Sequence, residues 1–259
     1  MLDYHIHVAA HGEYKYTDEW VGAYLDHARH FRINELGLLE HDEFLSAIDS
    51  DLLNRIGMEY PDILIRHGLE VDYISGRETK IREMLNAQVL DYVIGSIHFI
   101  DGWGFDHPDY RNLFESKDID DVYAEYFNLV GQAAQAELFD IIGHIDLVKI
   151  WGHRPNQKGI MHYLDPVLKC IRQTGLVVEI NSAGYRKPVG ELYPEQKIVE
   201  AMFALNIPIT LGSDAHHPEQ VGEGLAKAQA TANKAGYRYL TGFDRRRRYL
   251  VAMDADNAD

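Results

Sequence analysis

The sequence predicts an α/β fold in which about seven strand–helix units close, or nearly close, into a barrel. Three observations carry this. Strand-like apolar runs alternate with helical patterns along the whole chain. The strands are mostly apolar throughout, as in a parallel sheet buried on both faces. Strand after strand then ends in His, Glu or Asp, and barrels of this kind place their chemistry at the C-terminal ends of their strands. A chain of 259 residues suits one such barrel, and no repeat, low-complexity segment or linker-like shift divides it, so residues 1–259 are expected to form one domain.

Leu2 to Val8 alternates as a short strand, and His5 and His7, two apart, point to one side of it. His11-Gly12 follows closely. A helix is predicted over about 17–31, where Trp20, Ala23, Tyr24, Ala28 and Phe31 recur at helical spacing behind an N-cap at Thr17. The strand 35–39 ends at Glu40-His41, and a helix at about 43–56 follows. The strand 63–71 carries Glu70 near its end, and a helix at about 77–86 leads to the strand 92–97, which ends at His98. Residues 99–117 read as a long loop with Trp103, Phe105 and Tyr110, either a lid or a packed surface loop. The clearest helix, about 118–137, precedes the strand 139–143 and His144. A loop at 149–160 and a helix at about 162–173 lead to the strand 176–181, then a polar loop at 182–193 and a helix at about 194–205. The strand 208–213 ends at Asp214-Ala215-His216, and a helix at about 220–234 and a short strand at about 237–241 complete the fold.

Composition removes several classes. A formal charge of −16 argues against a surface that holds long nucleic acid, and Arg245 to Arg248 is too short a basic run to restore it, so it reads as a solvated turn. No apolar run reaches the roughly eighteen residues of a membrane span, and no leader is expected before the first strand. One cysteine, Cys170, forms no internal disulfide, reads as a core thiol and fits a reducing cytoplasm.

The strand-end residues suit a metal centre. His5, His7, His11, His41, His98, His144 and His216, with Glu70 and Asp214, offer the imidazole and carboxylate donors that zinc, iron and manganese accept. Seven imidazoles and two carboxylates exceed one ion and are enough for three. A carboxylate bridges ions and an imidazole does not, which marks Glu70 as a bridge. Two ions about 3.5–4 Å apart would hold a hydroxide between them as nucleophile. Three divalent ions against two carboxylates leave a positive pocket, suited to a small anion such as phosphate. Glu40 and Glu179 are candidates to accept hydrogen bonds from ligating imidazoles. Arg186 is the candidate for gripping phosphate, with Lys187, Lys149 and Arg154 as lesser ones. His27, His30, His67, His107, His153 and His162 are read as structural or surface residues, and His217 as a loop residue.

The motifs D-Y-H-I-H (3–7), E-H (40–41), G-L-E-V-D (68–72), G-S-I-H-F (95–99), G-H-I-D-L-V-K (143–149), E-I-N (179–181) and G-S-D-A-H-H-P (212–218) resemble, in order, the polymerase and histidinol phosphatase (PHP) superfamily. Residues 183–194 resemble its monofunctional histidinol-phosphatase branch. The resemblance implies a distorted (β/α)7 TIM-like barrel of PHP type with a trinuclear site: His5, His7, Glu70 and Asp214 on the first ion, Glu70, His98 and His144 on the second, His11, His41 and His216 on the third. It implies three divalent ions (zinc, manganese or iron), Glu70, Asp214 and His216 as catalytic residues, and a small phosphate monoester as substrate. The reaction implied is hydrolysis of L-histidinol phosphate to L-histidinol and phosphate, in histidine biosynthesis, by attack of a metal-bridging hydroxide. The alternatives are another small phosphate ester or nucleotide, and a metal-binding barrel without catalysis. The chain departs from the family pattern at His11, only three residues beyond His7, so the shorter loop shifts this ligand.

Overall fold

The computed structural model describes residues 1–253. Seven parallel strands form the sheet: β1 (Leu2–His7), β2 (Glu35–Leu39), β3 (Leu64–Asp72), β4 (Tyr92–Ser96), β7 (Ile141–Ile142), β8 (Val177–Asn181) and β9 (Ile209–Gly212), in that spatial order. Helices α1 (Asp18–His30), α2 (Ser50–Gly57), α3 (Glu78–Asn86), α4 (Ile119–Gln135), α5 (Ile160–Thr174), α6 (Gln196–Ala204) and α7 (Leu225–Ala235) alternate with the strands. The long loop after β4 carries a small hairpin, β5 (Phe99–Ile100) with β6 (Trp103–Gly104), and the chain closes with the hairpin β10 (Tyr239–Asp244) and β11 (Arg247–Ala252).

The ring shuts between β9 and β1 through a single bridge. His7 N–H donates to the Ala215 carbonyl at 2.8 Å and Ala215 N–H to the His5 carbonyl at 3.2 Å. The buried Asp3 carboxylate reinforces the seam by accepting from the backbone of Ser213 (2.8 Å) and Gly222 (3.3 Å). A register break in β1 between Asp3 and Ile6 re-aims its side chains, as bulges do. Tyr4 stacks on Tyr92 at 4.7 Å, while His5 and His7 reach the opposite end of the barrel.

The α/β barrel reading holds, with local differences. The helix expected at 43–56 is a 3₁₀ turn (Asp42–Ala47) followed by the short α2. Thr17 does cap α1, accepting from Trp20 N–H at 3.1 Å. Cys170 is half-buried in a groove between α4 and α5 rather than in the core. The strand expected at 237–241 is the first arm of the β10–β11 hairpin, which turns through Arg245 and Arg246, both left-handed. This hairpin seals the N-terminal end of the barrel: buried Phe243 packs against Tyr4 and Tyr92. Arg245 to Arg248 is exposed, as read, but also anchors the hairpin. Arg246 pairs with Asp140 and donates to the Leu138 carbonyl at 2.9 Å, and Arg248 donates to the Gly175 carbonyl at 2.5 Å. Among the described residues no helix is long and apolar enough to cross a membrane.

Candidate metal centre

Every C-terminal strand end contributes a polar side chain to one cluster at the open mouth of the barrel. Glu70 lies at its middle, 1% exposed. Its Oε2 is 3.2 Å from a ring nitrogen of each of His5, His7 and His41. Its Oε1 is 3.1 Å from His144 Nε2 and 3.8 Å from His98 Nε2. The two oxygens thus face two sets of imidazoles. His5 Nε2 and His7 Nε2 are 3.1 Å apart, and Asp214 Oδ1 lies 3.7 and 3.6 Å from them. Donors held 2.0–2.1 Å from a tetrahedral zinc ion are about 3.3 Å from one another. His5, His7 and Asp214 come within the spacing such an ion needs, and Glu70 Oε2 stands at a similar distance from both imidazoles. Further triads with metal-ligand spacing are His7, His41 and His216, then His5, Glu70 and His144, then His41, Glu70 and His98. His11, exposed and left-handed at φ 60°, stands outside these triads. Its ring lies over those of His216 and His41, at 4.7 and 5.0 Å.

The protonation states of Glu70, Asp214, His7 and His216 fit a ligand set. Burial would raise the Glu70 carboxyl, but His5 and His41 outweigh it and hold it well below the usual range. Asp214 is likewise held well down by His5, His216 and His7 against its burial. Burial, with His216 and His41 adding to it, holds His7 well below the usual imidazole value, and burial lowers His216 to about 4. Ionised carboxylates and neutral imidazoles are what a divalent ion requires, whereas His5 is raised well above the usual imidazole value against its burial, chiefly by Glu179, and would release a proton on binding an ion, as would His98. Glu70 Oε2, His7 Nδ1, His144 Nδ1 and His216 Nε2 are buried without a hydrogen-bond partner, which is uncommon unless another group satisfies them.

A surrounding layer of carboxylates orients the rings. Glu179 Oε1 lies 2.7 Å from His5 Nδ1, and its other oxygen accepts from His144 N–H at 3.0 Å. Gly212 permits this, since a Cβ there would sit 1.9 Å from Glu179 Oε1. Glu40 accepts from Ala9 N–H (2.6 Å) and Tyr16 (2.9 Å), fixing the turn after β1, and stays 3.9 Å from His7 Nδ1. Asp72 lies 2.5 Å from His98 Nδ1. Burial alone would lower His98, but this carboxylate lifts it to about 10. Asp72 was legible as Glu70's neighbour two along the strand, on the same side. Asp72→Asn is expected to weaken metal binding by about 10- to 100-fold. Chelator competition on the purified protein would check this, and unchanged affinity would remove Asp72 from the role.

The expected phosphate ligands lie elsewhere. Lys149 is fully buried, 2.9 Å from Asp146, and donates to the Leu192 carbonyl at 2.6 Å. Arg154 grips both oxygens of Glu191 at 2.9 Å. Arg186 donates to the carbonyls of Ser213 (2.6 Å) and Asp214 (3.0 Å), bracing the turn that presents Asp214. None of the three lines the cavity of about 500 Å³ above the cluster, because each already has partners within the chain. Lys187 does line it. So does His107, read from the sequence as structural. The loop 99–117 divides in two: Trp103 and Phe105 are packed inward, while Phe99, Asp106 and Tyr110 face the cavity.

Residues 3–183 match the PHP domain. A probable histidinol-phosphatase of Deinococcus radiodurans is 42% identical over 178 residues, 68% of this chain and 67% of that protein. A histidinol-phosphatase of Bacillus subtilis is 30% identical over 61% of this chain and 65% of its own length. Among solved structures, histidinol phosphate phosphatase from Lactococcus lactis, complexed with zinc, L-histidinol and phosphate, superposes with a TM-score of 0.78 at 20% identity, covering 96% of this chain and 98% of that one.

Proposed function

The chain belongs to the PHP domain family, and from that premise and the geometry of the cluster we propose that it hydrolyses L-histidinol phosphate to L-histidinol and phosphate. The observation that carries this is Glu70, whose two oxygens face two separate imidazole sets beneath a cavity of small-molecule size. The histidinol-phosphatase names of the relatives, and the ligands of the Lactococcus protein, support the choice of ester. These residues would hold divalent ions, which when bound would lower the pKa of water toward about 7 and offset phosphoryl charge. In this reading the ions number three and are zinc, manganese or iron. His5, His7, Glu70 and Asp214 would hold one, Glu70, His98 and His144 a second, and His41, His216 and His11 the third. Glu179 and Asp72 keep the His5 and His98 rings turned to their ligating faces. Lys187 replaces Lys149, Arg154 and Arg186 as the cation available to phosphoryl oxygens. The apolar Phe99, Leu147 and Ile150 take the histidinol side.

The test is phosphate release from L-histidinol phosphate beside a panel of other monoesters, with metal content measured on the same sample. A preference of at least about 100-fold in kcat/KM over a generic aryl phosphate is expected. Activity spread evenly over the panel would keep the metal centre and discard histidinol phosphate. No turnover with zinc, manganese or iron supplied would leave a metal-binding barrel without catalysis.

A further inference from the structure

Away from the metal cluster the cavity wall sets Phe99, Leu147 and Ile150 among polar groups that include Lys187, His107, Asp106 and Tyr193, and the last two are of interest for what they lack. Tyr193 is 1% exposed, lines the cavity, and its hydroxyl has no hydrogen-bond partner. Asp106, half-buried on the facing loop, makes no hydrogen bond or ion pair among the described residues. The other carboxylates that line the cavity outside the ligand set differ. Asp72 is engaged by His98, and Glu43 lies exposed. Burial, helped by neighbouring carboxylates that include Asp106, raises the Tyr193 phenol, so it stays neutral. Asp106 adds to the charge that raises His98, but it accepts no hydrogen bond. A half-buried carboxylate that accepts no hydrogen bond, near a neutral hydroxyl without a partner, is the complement of an alkylammonium group.

We infer that Asp106 and Tyr193 form the subsite for the substrate's ammonium group, with Asp106 as counter-ion and Tyr193 as its hydrogen-bond partner. The inference rests on the proposed hydrolysis of histidinol phosphate and says how the ester is chosen. That ester carries its amino group on the carbon next to the ester methylene. With the phosphate at the metal cluster, the ammonium, three bonds from the ester oxygen, falls within the cavity that Asp106 and Tyr193 line. The subsite makes the enzyme selective for amino-alcohol phosphates over esters of the same size that lack the amine. Omitting the amine leaves Asp106 and the Tyr193 hydroxyl without a hydrogen-bond partner, and a site built around a polar group discriminates strongly against its absence.

The test compares L-histidinol phosphate with the same ester lacking the amino group, 3-(imidazol-4-yl)propyl phosphate, on wild-type holoenzyme and on D106N and Y193F. D106N is expected to raise KM for the amino ester by about 10- to 100-fold, the worth of a hydrogen bond to a charged group, with kcat little changed. Its KM for the amine-free ester should stay within about twofold of wild type, since uniform binding there is untouched. Y193F should raise KM for the amino ester by about 3- to 10-fold and also spare the amine-free one. Metal content and melting temperature serve as controls for both variants. Losses that are equal on the two esters, or no loss on either, would overturn the subsite while leaving the hydrolase reading intact. A wild-type enzyme that releases phosphate from neither ester would overturn that reading and the subsite with it.

Discussion

Replacing Glu70 by Gln is expected to lower kcat/KM by on the order of 10⁴-fold, equivalent to about 5.5 kcal/mol of transition-state stabilisation, and to strip the protein of more than one metal ion per chain. The amide nearly matches the carboxylate in shape, so packing is retained. What changes is that one of two acceptor oxygens becomes an NH₂ donor and the charge is lost. Glu70 Oε2 faces His5, His7 and His41, and Oε1 faces His144 and His98. Whichever side the amide nitrogen takes, one of the two donor sets loses its carboxylate. Ser96, which donates to Oε1 at 2.6 Å, holds the side chain in place and prevents it from turning away. Metal analysis after exhaustive dialysis, run beside phosphate release and a thermal melt, separates loss of ions from loss of fold. Full metal content with wild-type turnover would remove Glu70 from the centre.

The second large effect is on stability. Lys149→Met is expected to destabilise the fold by about 3–5 kcal/mol, because it leaves the buried Asp146 carboxylate without its cation. Asp146 Oδ2 accepts from Glu195 N–H at 3.1 Å, and its other oxygen has no partner. Asp146, charged and held by Lys149, therefore ties the turn after β7 to the start of α6 through Glu195 N–H. Adding Asp146→Asn should recover part of the loss, since no charge is then stranded. Urea unfolding of the single and double variants measures both. KM for the phosphate ester should remain near wild type in the single variant. A large rise in KM with unaltered stability would instead make Lys149 a phosphate ligand.

Much of the barrel and the metal cluster could be read from the chain, and for one reason. Parallel strands print as short apolar runs, and a residue just past each run must lie at the same end of the barrel as the others. His98 and His144 follow β4 and β7 in this way, and Asp214 and His216 follow β9. The alternation rule also paired His5 with His7 and hid Asp72 in plain view beside Glu70. Residues on loops were not legible. Arg186, Lys149 and Arg154 have the right charge for phosphate, but charge does not reveal a carbonyl or carboxylate already waiting elsewhere in the chain. Asp106 and Tyr193 sit on segments without periodicity, and only folding brings them onto one wall. The β10–β11 hairpin was half seen, because an arginine run signals a turn without telling what the turn rests against.

The seam between β1 and β9 has a consequence for how the protein comes into being. His5 and His7 are among the first residues of the chain, and the backbone that completes their end of the ring is Ser213 to Ala215. Pairing across some 200 residues brings a large loop-closure cost and is slow. A growing chain therefore carries the first ligands long before the last, and until Asp214 and His216 emerge no segment of it holds the full set. The site therefore exists only once β1 has met the segment that follows β9. Ions held by the finished cluster would also fasten the ring's closing joint, so that metal supply would influence how long the ring stays shut.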